Sequence, residues 1–235
     1  METNKIYNMD CLIGMKSLPD GCVDLILTDP PYGIGFCSPR TENHDKLEND
    51  GFEEWQKQLP LWLSEMKRVL KPSGICCCCC CGGGKTPVTA MFTMEAIKHF
   101  NLIQTLVWVK FVGLGWKYRP AYENIVVLSK DKDSYNFYDK SSKCSNVIKG
   151  INQDIPTSEE HPTQKPVELM RRLIKIHSKK GDIVLDPFLG SGTTAVACIE
   201  LERKFIGYEL SDSYCKMAEK RIKPYLEQVK LTEFE

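Results

Sequence analysis

Apolar and polar positions along this chain follow two alternating spacings. Short apolar runs over Val23 to Thr28, Ile75 to Cys81, Leu102 to Val109, Asn124 to Leu128 and Ile183 to Leu185, with Lys204 to Glu209, read as strands. Between them, apolar residues recur three and four apart, the helical period. Trp55, Leu59, Trp62, Met66, Val69 and Leu70 mark one helix face, with Pro60 as a kink or start and Lys71-Pro72-Ser73-Gly74 as its end. Val88 to Phe100 reads as a helix. Ile6 to Asp10 is a short strand, Leu12 to Ser17 a short helix, and Pro19-Asp20-Gly21 a turn. Periodicity fades over Ser129 to Glu160, which reads as an insertion or specificity loop. It returns at Pro166, a favourable first-turn proline, with Leu169, Leu173 and Ile176 as a stripe and Gly181 as the closure. Thr193 to Leu201 is the next helix. The last carries Tyr214, Met217, Ala218, Arg221, Ile222 and Tyr225 on one face. Strands alternating with helices predict an α/β fold around a doubly wound, mostly parallel sheet.

Length adds that 235 residues make one large domain or one domain with a modest insertion. No apolar run approaches the roughly 20 residues that span a bilayer. The polar start, Met1 to Asp10, has no signal-peptide apolar core. A cytoplasmic protein without a membrane partner is expected. Net charge is zero, with 31 basic and 31 acidic residues. Its distribution is uneven: residues 110–150 carry eight Lys or Arg against four Asp or Glu, and residues 161–180 carry six against one. Such runs are usually solvated faces, but two of them in a neutral chain suit a polyanion.

Six of the twelve cysteines are consecutive, Cys76 to Cys81. On an extended strand they point alternately to opposite faces, which does not converge on one ion. They read as small hydrophobes in a central strand, and no metal site is expected. Gly82-Gly83-Gly84-Lys85-Thr86 resembles the end of a phosphate loop, but the glycine required five residues before Gly84 is Cys79.

A second glycine loop, DPFLGSGTTA over Asp186 to Ala195, lies between a strand and a helix. Gly190 to Ala195 fits the pattern G-x-G-x-x-A, and Glu209 ends the next strand, where an acid binds ribose hydroxyls. Asp186 at the strand tip would repel a pyrophosphate and attract an ammonium. S-adenosylmethionine has the ribose and the ammonium and no phosphate, so charge favours it over NAD.

The stretch LILTDPPYGIG, Leu25 to Gly35, ends a strand on Asp29-Pro30-Pro31-Tyr32. In an open parallel sheet, ligands sit outside the carboxyl ends of strands. If the strands before Asp29 and Asp186 are neighbours, their loops share one pocket. The Asp29 carboxylate and the Pro30 carbonyl, fixed by Pro31, can then grip both hydrogens of an exocyclic amine. Tyr32 offers a face for stacking. An aromatic amine has its lone pair delocalised into the ring, and two acceptors on its hydrogens free that pair. The bland alternative is an Asp-Pro turn; DPFLGSG in the same chain favours chemistry.

DPPYGIGF, HPTQKP (His161 to Pro166) and DPFLGSGTT together resemble the amino-methyltransferases that modify adenine N6 or cytosine N4 in DNA. The catalytic quartet comes first and the cofactor loop last, which resembles the circularly permuted beta group with its Rossmann-like sheet. The resemblance covers nearly the whole chain, as a single domain over 1–235 with 111–160 as a variable target-recognition insertion. It implies that Asp10, with Cys11, contacts the cofactor adenine and Glu209 the ribose. Phe188, Gly190, Gly192 and Thr193 would line the cofactor pocket, with Asp186 at its edge. Thr163 and Lys165 would lie near the methionine end, and Asp29, Pro30, Pro31 and Tyr32 would hold the base. The permutation also predicts that Ile6 to Asp10 pairs near Lys204 to Glu209.

These readings imply an S-adenosylmethionine-dependent, site-specific DNA adenine-N6 methyltransferase of the restriction-modification kind. It would act on double-stranded DNA by flipping the base onto Tyr32. Cytosine-N4 methylation uses the same chemistry, and an Asp rather than a Ser opening the quartet favours adenine by resemblance. RNA adenine methylation is a further alternative. Cytosine-C5 methylation needs a cysteine nucleophile, usually after proline, and the chain has no Pro-Cys pair. A nucleotide-binding oxidoreductase would leave DPPY unexplained, and a non-catalytic DNA-binding module would leave DPFLGSG unexplained. So small a recognition region gains from a second copy, which makes a homodimer compatible with the sequence. Trp108 reads as core; Trp116 reads as core or as a wedge into a duplex.

Overall fold

The structure, a computed structural model, describes residues 2–33, 51–80, 87–110, 119, 121–141, 143–152 and 164–232, with side chains described to residue 227. The first half holds β1 (Lys5–Asn8), α1 (Cys11–Lys16), β2 (Val23–Thr28), α2 (Phe52–Val69), β3 (Leu70–Cys80), α3 (Val88–Ala96) and β4 (Asn101–Val109). The second holds β5 (Tyr122–Ser129), β6 (Val147–Ile148), α4 (Val167–His177), β7 (Ile183–Asp186), α5 (Thr193–Glu200), β8 (Lys204–Glu209) and α6 (Asp212–Thr232). The strands form one sheet in the order β1-β8-β7-β2-β3-β5-β4-β6. All neighbours are parallel except β5, which runs antiparallel to both β3 and β4.

Helices cover both faces, so the central strands have no polar side. Leu25 and Leu27 of β2 enter a core with α4, α5 and α6, while Val23 and Ile26 enter another with α1, α2 and α3. The cysteines of β3 alternate in the same way. Cys77 and Cys79 join the first core, and Cys76, Cys78 and Cys80 the second. Burial away from water pushes the Cys77 and Cys79 thiols well above their ordinary range, as expected of inert apolar fillers. Cys81 and the Gly82 to Thr86 loop lie outside the described residues.

The structure corrects several boundaries. Lys71 to Gly74 does not end α2 in a loop but lies inside β3. Val23 of β2 pairs Leu70, and Leu25 then pairs Ile75, so the extra residues of β3 bulge out of the ladder. Pro72, which has no N–H to give, is tolerated there. Pro60 lies within α2, α3 stops at Ala96 rather than Phe100, and α4 ends at His177 with Ser178 as its cap. Gly181 sits in the following turn rather than at the helix end, at φ 85°. Within 111–160, Tyr122–Ser129 is an internal strand of the sheet and Val147–Ile148 an edge strand. Trp108 is fully buried, and its Nε1 donates to the Ile151 carbonyl at 2.8 Å. Trp116 lies outside the described residues.

Two pairings position everything that follows. Ile6 pairs Gly207 and Asn8 pairs Glu209, so Ile6 to Asp10 lies beside Lys204 to Glu209 as expected. Leu25 pairs Val184 and Ile26 pairs Leu185, which makes β2 and β7 parallel neighbours. The chain therefore leaves β1, β8, β7 and β2 at one common edge, the carboxyl edge where ligands of such sheets bind. No helix among the described residues is long and apolar enough to cross a membrane.

Candidate active site

β2 ends at Thr28 because Pro30 and Pro31 cannot donate to a ladder. Asp29 is thereby the last side chain before the turn, and it points to the carboxyl edge beside the end of β7. The Thr28 hydroxyl donates to Asp186 Oδ1 at 2.7 Å and ties the two strand ends together. Gly33 closes the turn at φ 66°, with Trp55 of α2 so near that an added Cβ would sit 2.7 Å from the Trp55 Cβ. Only glycine fits that approach.

Both oxygens of Asp29 are engaged. Oδ1 accepts from the Tyr32 hydroxyl, and Oδ2 accepts from the Lys165 ammonium. Lys165 Nζ also lies 3.4 Å from the Tyr32 oxygen and 3.4 Å from Glu123 Oε2. Lys110 pairs with Glu123 through its other oxygen, Oε1. Lys165 and Glu123 are only 7% and 8% exposed, so two acids and two lysines form a largely buried network. Burial raises the Asp29 pKa, and the nearby Glu123 adds to that, while Lys165 and the Tyr32 hydroxyl oppose it. Burial likewise disfavours charge on Lys165 and Glu123, but their mutual attraction prevails. Asp29 and Glu123 hold the Lys165 pKa above its ordinary value, and Lys165 and Lys110 hold Glu123 below its own.

Sheet topology explains why Glu123 and Lys110 are here. β5 runs antiparallel to β3, so it starts at the edge where β2 and β3 finish, and Glu123 is its second residue. β4 runs back toward that edge, and Lys110 follows its last residue. Neither residue belongs to a sequence motif. The signal was a lone acid opening an otherwise apolar strand.

The second half of the site surrounds the glycine loop. Asp186, 4% exposed, accepts from Thr28 and from the Phe188 N–H at 3.1 Å. Burial pushes its carboxyl up to about 6, against the hydrogen bonds from Thr194, Thr28 and Phe188. Glu209 accepts from the Gly190 N–H and the Ser211 N–H, each at 2.8 Å, and so docks the loop on the end of β8. Gly192 is left-handed, at φ 82°, and caps α5. Phe188 meets Trp62 edge-on, with ring centroids 4.9 Å apart. Arg221 of α6 donates to the Thr193 hydroxyl at 2.9 Å and to the Ser191 hydroxyl at 3.2 Å, and Ser191 donates to Gln164 at 3.0 Å. Arg221 stood among apolar neighbours on its helix face; a charge on a packed stripe was its signal. Asp10 caps α1, accepting from Leu12 and Ile13 N–H groups at 2.9 and 3.1 Å. Cys11 follows it, buried, with its thiol pushed up to about 12 by burial and the Asp10 charge.

The structure thus brings Asp29, Pro30, Pro31, Tyr32, Lys165, Asp186, Phe188, Gly190, Gly192, Thr193, Glu209, Asp10 and Cys11 to one edge of the sheet. Thr163 and His161 lie outside the described residues. Lys165 is at the Asp29 carboxylate. Three acids, Asp10, Asp186 and Glu209, stand at the ends of adjacent segments around a loop of backbone N–H groups. That donor set fits a cationic ligand rich in hydroxyls better than a pyrophosphate.

Residues 23–220 match the model of a family described as DNA methylase, N6/N4 type. The chain is 30% identical to the type II methyltransferase M.HpaI of Haemophilus parainfluenzae, over 88% of this chain and 70% of that protein. It is 32% identical to the DNA adenine methyltransferase YhdJ of Escherichia coli K12, over 94% and 83%. A solved structure of M1.HpyAVI in complex with SAM superposes with a TM-score of 0.69 and 26% identity, over 93% of this chain and 98% of that one.

Proposed function

The chain belongs to the N6/N4 DNA methylase family, and from that premise we propose that it methylates the N6 amine of adenine in DNA, with S-adenosylmethionine as donor. The observation that carries this is the pairing of β2 with β7, sealed by the Thr28–Asp186 hydrogen bond, which sets an amine grip beside the glycine loop. The adenine choice rests on the likeness to the DNA adenine methyltransferase YhdJ and on the Asp that opens the quartet.

S-adenosylmethionine supplies a methyl group already activated on sulfonium. Glu209 and Asp10 would orient its ribose and adenine, and Gly190 to Thr193 would lie along it. Asp29 and the Pro30 carbonyl would accept the two amine hydrogens, while Tyr32 stacks on the flipped base. The nitrogen lone pair forms the new N–C bond as the S–C bond breaks. The proton released from the methylated nitrogen passes to Asp29 or to water. The protein's main contribution is alignment in line with the S–C bond. The order of motifs supports the permuted group. The parts of segment 111–160 outside β5 and β6 are the proposed DNA-facing region, and a second copy of the chain would extend it.

Incubation with methyl-labelled S-adenosylmethionine and unmethylated bacterial DNA, followed by nucleoside analysis, tests the reading. Labelled N6-methyladenine is expected. N4-methylcytosine, or label in RNA alone, would overturn it.

Cofactor affinity should also depend on pH. With its pKa at about 6, Asp186 is a carboxylate above that pH and is protonated below it. Its attraction for the cofactor ammonium is therefore present above pH 6 and lost as pH falls. Calorimetry from pH 8 to pH 5 should show affinity falling by about tenfold per unit once below the pKa. Asp186→Asn should flatten that dependence; an unchanged slope in the variant would assign the effect elsewhere.

A further inference from the structure

In the structure the amine grip is filled by the protein itself. Tyr32 and Lys165 occupy both oxygens of Asp29, and the Lys165 ammonium stands where an incoming amine would place its hydrogens. A carboxylate oxygen can accept more than one hydrogen bond, but a target amine that is to take the position of the Lys165 ammonium on Oδ2 requires that donor to leave. The structure holds a place for it. Glu123 Oε2 is buried and has no hydrogen-bond partner among the described residues, and Lys165 Nζ lies 3.4 Å from it, already within ion-pair range. A buried carboxylate oxygen without a hydrogen bond costs free energy that a small shift of the lysine would recover. Lys110 holds the opposite oxygen, so Glu123 presents Oε2 to Lys165.

We propose that Lys165 is a placeholder cation that moves from Asp29 to Glu123 as the target amine engages, with Glu123 as the positioning residue that receives it. This deepens the function proposed above and rests on its amine-transfer chemistry, though not on which base carries the amine. The charge arithmetic supports it. Two acids and two lysines stay within one buried cluster before and after the shift, so no net charge is desolvated. The direction of the chemistry also fits. Lys165, helped by the Tyr32 hydroxyl, is the main charge holding the Asp29 pKa down, against burial and the Glu123 carboxylate. Once Lys165 has left, Asp29 becomes the stronger proton acceptor, at the moment the methylated nitrogen gives up its proton.

Glu123→Gln removes the charge that draws the lysine away and keeps the shape. The readout is label from methyl-labelled S-adenosylmethionine entering unmethylated bacterial DNA on any base, with enzyme in excess and cofactor saturating. Cofactor affinity is measured in parallel by calorimetry. Glu123→Gln is expected to slow transfer at least about tenfold, with cofactor affinity within about twofold of the parent chain. Adding Lys165→Met, which removes the placeholder, should restore a large part of the rate. A merely structural role for Glu123 would leave the double variant no faster than the single one, and that result overturns the proposal. So does a Glu123→Gln rate equal to that of the parent chain. Failure of the wild-type chain to label DNA at all would instead count against the function proposed above.

Discussion

Asp29→Ala is expected to lower methyl transfer by about three orders of magnitude or more while the cofactor still binds. The carboxylate has two tasks, holding an amine hydrogen and accepting the released proton, and the loss of a positioned acid–base group alone costs about 10²–10⁴-fold. The loss of a preorganised acceptor at the reacting atom adds to that. Cofactor affinity should stay within about twofold, because Asp10, Asp186 and Glu209 bond their own loops and do not bond Asp29. The fold should persist too. Lys165 keeps Glu123 as a partner 3.4 Å away, so the variant does not strand a buried cation. Asp29→Asn is a sharper version, since it keeps the volume while removing the charge and turning one acceptor oxygen into a donor. Single-turnover transfer of labelled methyl groups into DNA, alongside calorimetric cofactor binding, measures both. Transfer within tenfold of the parent rate in either variant would refute the amine-grip argument.

Gly192→Val is expected to cost both stability and cofactor binding. At φ 82° a β-branched residue is strained by about 1–3 kcal/mol. Its Cβ would also lie 2.9 Å from the Ala218 Cβ and 3.2 Å from the Ala218 Cα, so α6 must move away from the loop. Overpacking of that kind adds about 1–3 kcal/mol. Together these predict a melting temperature lower by roughly 4–24 °C for a chain of this size. The same shift would loosen Arg221 from Ser191 and Thr193 and spread the backbone that lies along the cofactor. At least tenfold weaker cofactor binding is expected, with Gly192→Ala in between. Thermal unfolding by circular dichroism and calorimetry would show it; a valine variant with parental melting temperature and affinity would mean that the loop does not depend on this close approach.

Much of the scaffold was legible because its signals are local. β2 and β8 fall on Val23–Thr28 and Lys204–Glu209 as the apolar runs indicate, since strands buried on both faces need unbroken apolar sequence. Lys71 to Gly74 misled because proline and glycine signal a stop in any element, and here they mark a bulge inside β3 that only its pairing with β2 reveals. Arg221 was counted with its apolar neighbours on α6, because its partners, Ser191 and Thr193, lie on another helix and loop.

The sequence by itself determined the chemistry that can occur. Asp29-Pro30-Pro31-Tyr32 must end a strand on an acid and a rigid turn, and Asp186 to Thr193 must open a helix with glycines, because proline and glycine limit the backbone in any fold. Only the tertiary structure decided that these pieces meet. Pairing of β2 with β7 is a choice among strands far apart in the chain, made by how two cores are buried. It also decided who fills the grip. Lys165 is 136 residues from Asp29, and Glu123 reaches it only because β5 runs antiparallel and begins at the catalytic edge. Buried ion pairs of this kind carry no periodicity and no spacing; they depend on which strand ends the sheet brings together.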